Sequence, residues 1–347
     1  MENLENKKYW IWFSLIKGLG CVRKNKLLKI YGTPEKIYKL SKSELLKIDG
    51  IGEETVTNII EAKNEKILNY HIKYMKENNI DIIHICEKSY PQILKQIYDA
   101  PVSLYIRGNK EILNGKNIGI VGCRECTDYG KKAAKYFAYN LSKEKYVNIV
   151  SGLARGVDSY AHWGSVGANI EFESTKNCGK EQTNCEKLDI TCEKLKNGCG
   201  KINNDCGEIK ERCGKLKNDC GKLKNDCGKT IAVLGNGLDM IYPKENIELA
   251  NEIIRNGGAI ISEYPCGTKP DKMNFPARNR IISGMSQGII VIEAKEKSGT
   301  LITVDFALEQ GRDVFVVPGN INSINSVGTN DLIKHGAKMV TSYEDIK

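Results

Sequence analysis

Residues 274 to 300 read "NFPARNRIISGMSQGIIVIEAKEKSGT". Two arginines and an asparagine stand together at Arg278, Asn279 and Arg280. A run from Gly288 to Ala294 follows, and then a small-residue turn, Lys297-Ser298-Gly299-Thr300. The run is β-branched, short, and apolar at consecutive rather than alternate positions. That pattern suits a strand buried on both faces, as in a parallel sheet covered by helices.

Working outward, similar runs occur at Asp81–Ile85, Ser103–Arg107, Asn117–Val121, Asn148–Ser151, Thr230–Leu234, Ala259–Ser262, Asp313–Val317 and Lys338–Thr341. Amphipathic stretches separate most of the later ones. Strands alternating with helices predict an α/β domain from residue 81 to 347 with a doubly wound, mostly parallel sheet. Residues 1 to 75 carry charges at helical spacing and predict a separate all-helical domain. Within it, "IDGIGEETVTNII" (48–60) has the shape of a helix-hairpin-helix, in which Ile48 and Ile51 anchor a turn closed by Gly50 and Gly52. "IKGLGCVRKNKLL" (16–28) repeats the shape more loosely. Backbone N–H groups at such turns suit a phosphate. Glu53 and Glu54 beside the second turn oppose one, so scaffold and DNA contact both stay open.

One segment fits neither domain. Eight of the thirteen cysteines, Cys178 to Cys227, recur every seven residues, and Leu or Ile follows six of them by three. This is a heptad pattern. Glycine, asparagine and aspartate throughout the repeats oppose a helix. Residues 169–229 therefore read as an insertion, a helical hairpin by pattern or a disordered loop by propensity. It contains no C-x-x-C pair of the zinc type.

The chain has 347 residues, 41% of them apolar, and 52 basic against 43 acidic residues give a net charge of +9. That balance permits a polyanionic partner without requiring one. No secretory signal and no stretch of roughly 20 apolar residues is present, so a cytoplasmic protein away from membranes is expected.

Ligands of open α/β sheets bind beyond the carboxyl ends of the strands. Five turns there carry small residues: Gly122-Cys123-Arg124, then Gly152 to Gly156 after Ser151, Gly235-Asn236-Gly237, Ala294 to Thr300, and Pro318-Gly319-Asn320. Glycines let a backbone approach closely, and N–H groups at helix starts attract anions. With Arg124, Arg155, Arg278 and Arg280, these turns predict a phosphate-binding rim. No catalytic constellation stands out. Asp158 and His162 share a helix face and read as an internal polar pair. Neither a P-loop nor a full G-x-G-x-x-G is present, and no cofactor or metal is called for.

"GIVGCRECTDYG", "IVSGLARGVDSYAH", "TIAVLGNGLDMIYP", "ISEYPCG", "NFPARNRIISGMS", "VIEAKEKSGTLITVDFALEQGRDVFVVPGNI" and "GTNDLIKHGAKMV" together resemble the DNA-processing protein A (DprA/Smf) family, in order and spacing, from about Ile85 onward. The resemblance implies a Rossmann-like domain preceded by a small helix-hairpin-helix (SAM-like) domain. It implies binding of single-stranded DNA, protection of incoming DNA in natural transformation, loading of the RecA recombinase, a homodimer, and no nucleotide hydrolysis. The rim and the resemblance together give as site residues Gly122 and Arg124; Ser151, Gly152, Ala154, Arg155 and Gly156; Asn274, Phe275, Arg278, Asn279 and Arg280; and Lys297, Ser298, Gly299 and Thr300. Leu332, Ile333 and Met339 are the expected dimer residues. Cys123 stands where the family has serine, which puts a hydroxyl–phosphate bond there in doubt. The chain stops soon after Val340, so the winged-helix domain that some members append is not expected.

Preference for single strands needs base stacking or a narrow groove. Phe275 and Tyr264 are the aromatics that this reading offers. The rival class is a phosphoribohydrolase-like enzyme with Glu293 and Glu309 as its carboxylates, but its Pro-Gly-Gly-x-Gly-Thr turn is lacking here.

Overall fold

The computed structural model describes residues 4–177 and 227–346, with side chains from 169 to 177 left aside. Cysteines 178 to 220 of the heptad repeat therefore lie outside the described residues. The first helices of the chain pack around Trp10, Ile11, Trp12 and Phe13, all buried on the helix Lys8–Leu15. The helices Cys21–Tyr31 and Glu53–Glu61 begin at Gly20 and Gly52, the glycines of the two expected hairpins. Glu65–Glu77 closes the unit with Leu68, Ile72 and Met75 on its buried face.

The second unit is built on one nine-stranded sheet in the order β1-β2-β6-β5-β4-β3-β7-β8-β9. The strands are β1 Asp81–His84, β2 Ser103–Gly108, β3 Asn117–Val121, β4 Asn148–Ser151, β5 Thr230–Leu234, β6 Ala259–Ser262, β7 Gly288–Val291, β8 Asp313–Val316 and β9 Lys338–Met339. Only the β1–β2 and β2–β6 pairings are antiparallel. The other six are parallel, and β3, β4, β5 and β7 are buried at every position. All nine expected runs are strands. Those at Asp81, Gly288, Asp313 and Lys338 end earlier than expected, the second and fourth where the chain turns away to form the rim and the C-terminal fold-back.

Helices cover both faces, and three apolar clusters result. One joins the helical unit to the sheet, with Trp12 and Leu45 in the same cluster as Tyr105, Leu234 and Ile260. Lys7 adds a polar tie, its Nζ donating to the Ile82 carbonyl at 2.6 Å. The chain lays β3 to β6 outward on one side of β3, then returns to place β7 to β9 on the other. The strand order therefore reverses between β3 and β7, which opens a crevice at their carboxyl ends.

The helix Val157–Asn177 runs through the start of the expected insertion. The fold resumes at Cys227, which is buried and whose thiol donates to the Ser142 carbonyl at 3.3 Å.

Candidate nucleic-acid interface

The turns after β3 and β4 are pressed together. Val157 N donates to the Cys123 carbonyl at 3.1 Å. Gly156 has φ +73°, and a Cβ there would lie 2.3 Å from that carbonyl oxygen. Only glycine fits such a conformation at such an approach. Ser151 is buried and its hydroxyl donates to the Ile120 carbonyl at 2.7 Å. It fixes the sheet rather than facing the crevice.

The β4 turn already holds an anion of its own. Gly152 N and Ala154 N donate to the Asp158 carboxylate at 3.2 and 3.4 Å. Asp158 is buried, and burial raises its pKa against the opposing pull of Arg278. His162, one turn on, pairs instead with Thr230: Nδ1 lies 2.6 Å from Oγ1. The same hydroxyl lies 3.0 Å from the Ile149 carbonyl. Burial drives the His162 pKa down to about 3. The expected Asp158–His162 pair is thus two separate structural contacts.

The four rim arginines do not act alike, which corrects the expectation of one shared cationic edge. Arg278 is buried on the helix Asn274–Gly284, and its Nη1 donates to the Gly152 carbonyl at 2.6 Å and to the Val233 carbonyl. It brackets the ends of β4 and β5. Burial lowers its pKa to about 10, with Asp158 pulling the other way. Arg155 is exposed and paired with Glu245, at 3.0 Å between Nη2 and Oε2. Arg280 points out of the crevice altogether. It lies beside the helical unit, 2.9 Å from Asp99 and 2.6 Å from Glu263, with its Nη2 3.4 Å from the Cys21 thiol. Successive helix positions point in different directions, so Arg278 and Arg280 need not share a face. Burial works against the Arg280 charge, and Glu263 and Asp99 outweigh it and raise its pKa. Together these groups line a larger cleft of about 1260 Å³ between the two units, where Tyr264 also lies.

Arg124 is different. It is exposed after β3, and its guanidinium sits 5.6 Å above the Phe275 ring. Phe275 stacks in turn on Tyr242, at 5.6 Å between centroids and 27° between planes. Arg124, Phe275 and Tyr242 line a crevice of about 640 Å³ at the β3–β7 switch. Gly122, Ala154, Arg278, Asn279 and the whole turn from Lys297 to Thr300 line it too. In that turn Ser298 caps the helix Gly299–Glu309, accepting from Thr300 N at 3.2 Å. Asn274 is half-buried behind Gly235 and is not among the lining residues. Lys272 and Tyr242 are lining residues that the sequence reading missed. Tyr242 lies shortly after the Gly235-Asn236-Gly237 turn and Lys272 just before the helix Asn274–Gly284, both in loops without a spacing signal of their own.

Glu293 is buried and accepts from Thr127 N at 2.9 Å and from the Thr127 hydroxyl at 2.5 Å. Both its oxygens are engaged in holding the start of the helix Asp128–Lys145. Glu309 is exposed at the far end of its helix. The two carboxylates of the rival enzyme reading therefore belong to different parts of the molecule.

Comparison with known proteins agrees with this architecture. Residues 81–197 and 222–347 match the model of the DNA recombination-mediator protein A family. Residues 14–64 match a SAM-like helix-hairpin-helix tandem. The chain is 36% identical over 299 residues to DNA processing protein DprA of Bacillus subtilis, covering 86% of this chain and 80% of that protein. It is 34% identical over 337 residues to DprA of Streptococcus pneumoniae, covering 90% and 97%. The X-ray structure of the Streptococcus pneumoniae protein superposes with a TM-score of 0.70 at 31% identity over 98% of this chain and 96% of that one. A structure of DNA processing protein A from Helicobacter pylori, described for its single-stranded DNA binding mode, gives a TM-score of 0.53 at 25% identity over 77% and 93%. Sequence, fold and the order of the rim turns converge, and the chain belongs to the DNA recombination-mediator protein A family.

Proposed function

We propose that the crevice at the β3–β7 switch binds the sugar-phosphate backbone of single-stranded DNA. The carrying observation is Arg124: exposed, without an ion pair among the described residues, and poised on Phe275 beside the Lys297–Thr300 turn. Lys272 and Lys297 add exposed cations to the same crevice. The single-stranded DNA binding of the Helicobacter pylori relative supports the same reading. In this reading Arg278 and Asp158 shape the crevice from beneath. Arg155 and Arg280 serve structural ion pairs. Binding rather than catalysis is the activity, in the cytoplasm, and the bound strand is handed to the RecA recombinase by a homodimer of this chain. The engaged oxygens of Glu293 disfavour the hydrolase alternative.

Fluorescence anisotropy with labelled single- and double-stranded oligonucleotides, titrated across salt, tests the reading. Tighter binding of the single strand is expected, with log affinity falling against log salt by about 0.7 per phosphate neutralised. Equal or absent binding of both would refute it. RecA transfer is checked by the rate of filament assembly on coated strands with and without the protein. Released base from nucleoside monophosphates would revive the enzyme reading.

A further inference from the structure

The crevice holds one aromatic that the backbone-binding reading does not use. Tyr242 is 47% exposed, while Phe275 behind it is partly buried under Arg124. Arg124 lies over the Phe275 ring, and Phe275 stacks on Tyr242. Of the two rings Tyr242 is the more exposed, and it offers the greater surface to a further partner.

Its surroundings fit a strand. Lys244 follows it by two residues and is exposed, and Lys272 lines the same crevice. Of the two carboxylates three residues away in sequence, Glu245 is paired with Arg155 and Asp239 accepts from Gly267 N at 2.9 Å. Every base has a π-face, so a rigid exposed ring flanked by cations accepts bases without regard to sequence. A base inside a duplex is stacked on both sides and offers it nothing.

We infer that Tyr242 is a base-stacking residue that sets the preference of this crevice for single strands over duplex. The inference rests on the single-stranded DNA reading above. It separates two tasks in one groove: Arg124 meets phosphate, and Tyr242 meets a base. Phe275 holds both in register.

The test uses the full chain and an oligo(dT) probe beside a duplex of equal length. Replacement of Tyr242 by Leu is expected to weaken oligo(dT) binding by roughly fivefold to a hundredfold. Duplex affinity should hardly move, and the salt slope of oligo(dT) binding should stay at the wild-type value. Tyr242→Phe should keep wild-type affinity. In Tyr242→Trp, the new indole should lose fluorescence on oligo(dT) addition, over the loss seen in wild type under the same conditions. Unchanged oligo(dT) affinity in a folded Tyr242→Leu protein would overturn the inference and leave the backbone reading standing. So would an indole signal in Tyr242→Trp that ignores oligo(dT). Absence of any wild-type binding to single strands would overturn both.

Discussion

Arg124 and Arg278 are both arginines of the same crevice, yet they respond differently to removal. Arg124 is exposed and sits over the Phe275 ring, so Arg124→Ala should leave stability within about 0.5 kcal/mol. It should cost binding about tenfold or more, since a charge-assisted hydrogen bond is worth about 1.5–3 kcal/mol, and it should lower the salt slope. Arg278→Ala removes the partner of two buried carbonyls and of the buried Asp158. Leaving a buried charge uncompensated costs about 3–5 kcal/mol, so urea unfolding should show a large loss. A stable Arg278→Ala protein with a flattened salt slope would instead make it a phosphate ligand. His162 offers a pH test. Its pKa falls from about 6.5 unfolded to about 3 folded because burial disfavours the imidazolium. The depressed folded value means the unfolded chain binds the proton first, so stability present above pH 6.5 is lost as pH falls towards 3. Between pH 7 and 5 the loss from this group should be about 2 kcal/mol. Urea unfolding of His162→Gln at both values should lack that share.

At the scale of elements, the sheet was legible and the rim only partly so. Buried parallel strands are written as consecutive β-branched residues, so Asn117–Val121 and Thr230–Leu234 could be bounded from sequence alone. The glycines of the rim were legible too, because a positive φ or a close approach leaves few alternatives, as at Gly156. The direction of a side chain is not written that way. Arg278 and Arg280 lie two residues apart, yet one brackets two strands and the other joins the helical unit through Glu263 and Asp99. Tyr242 escaped because nothing in its loop marks a ring as exposed. The insertion is also an element-scale question. From Val157 to the buried Ala168 the helix advances about 16 Å, enough to cross the sheet away from the rim. There Ser165 meets the Ser142 hydroxyl at 2.8 Å, and the Ser142 carbonyl accepts from Cys227, where the chain resumes. Replacing residues Glu171 to Asp226 by a short Gly/Ser bridge should leave the melting temperature and oligo(dT) affinity unchanged. Insoluble protein, or lost binding, would show that the insertion belongs to the fold or the site.

For the whole molecule, the proposal of self-association turns on the β9 edge. An open sheet edge invites pairing, but β9 is only Lys338–Met339 and carries a lysine, two devices that blunt an edge. The residues after it also fold back: Thr341 N and Ser342 N donate to the Asp345 carboxylate, both at 2.9 Å. Strand pairing is therefore a poor drive for a dimer here. Side chains are a better one. Of the three expected dimer residues, Leu332 and Ile333 are partly buried against the sheet core, and Met339 is 53% exposed. The segment leading into the helix Val327–Lys334 adds Ile321 at 87% and Ile324 at 71% exposure. Ile321, Ile324 and Met339 are the exposed apolar side chains that the proposed dimer would cover, a second copy meeting the same surface by two-fold symmetry. Ile333 is a compromised probe, because a charge there would also disturb the core. Met339→Glu and Ile324→Glu are cleaner. Each should shift a micromolar dimer towards monomer by tenfold or more in dissociation constant while keeping the wild-type melting temperature measured below the dissociation constant. Light scattering at high protein concentration reads the outcome, and a wild-type mass of one chain would remove the dimer from the proposal.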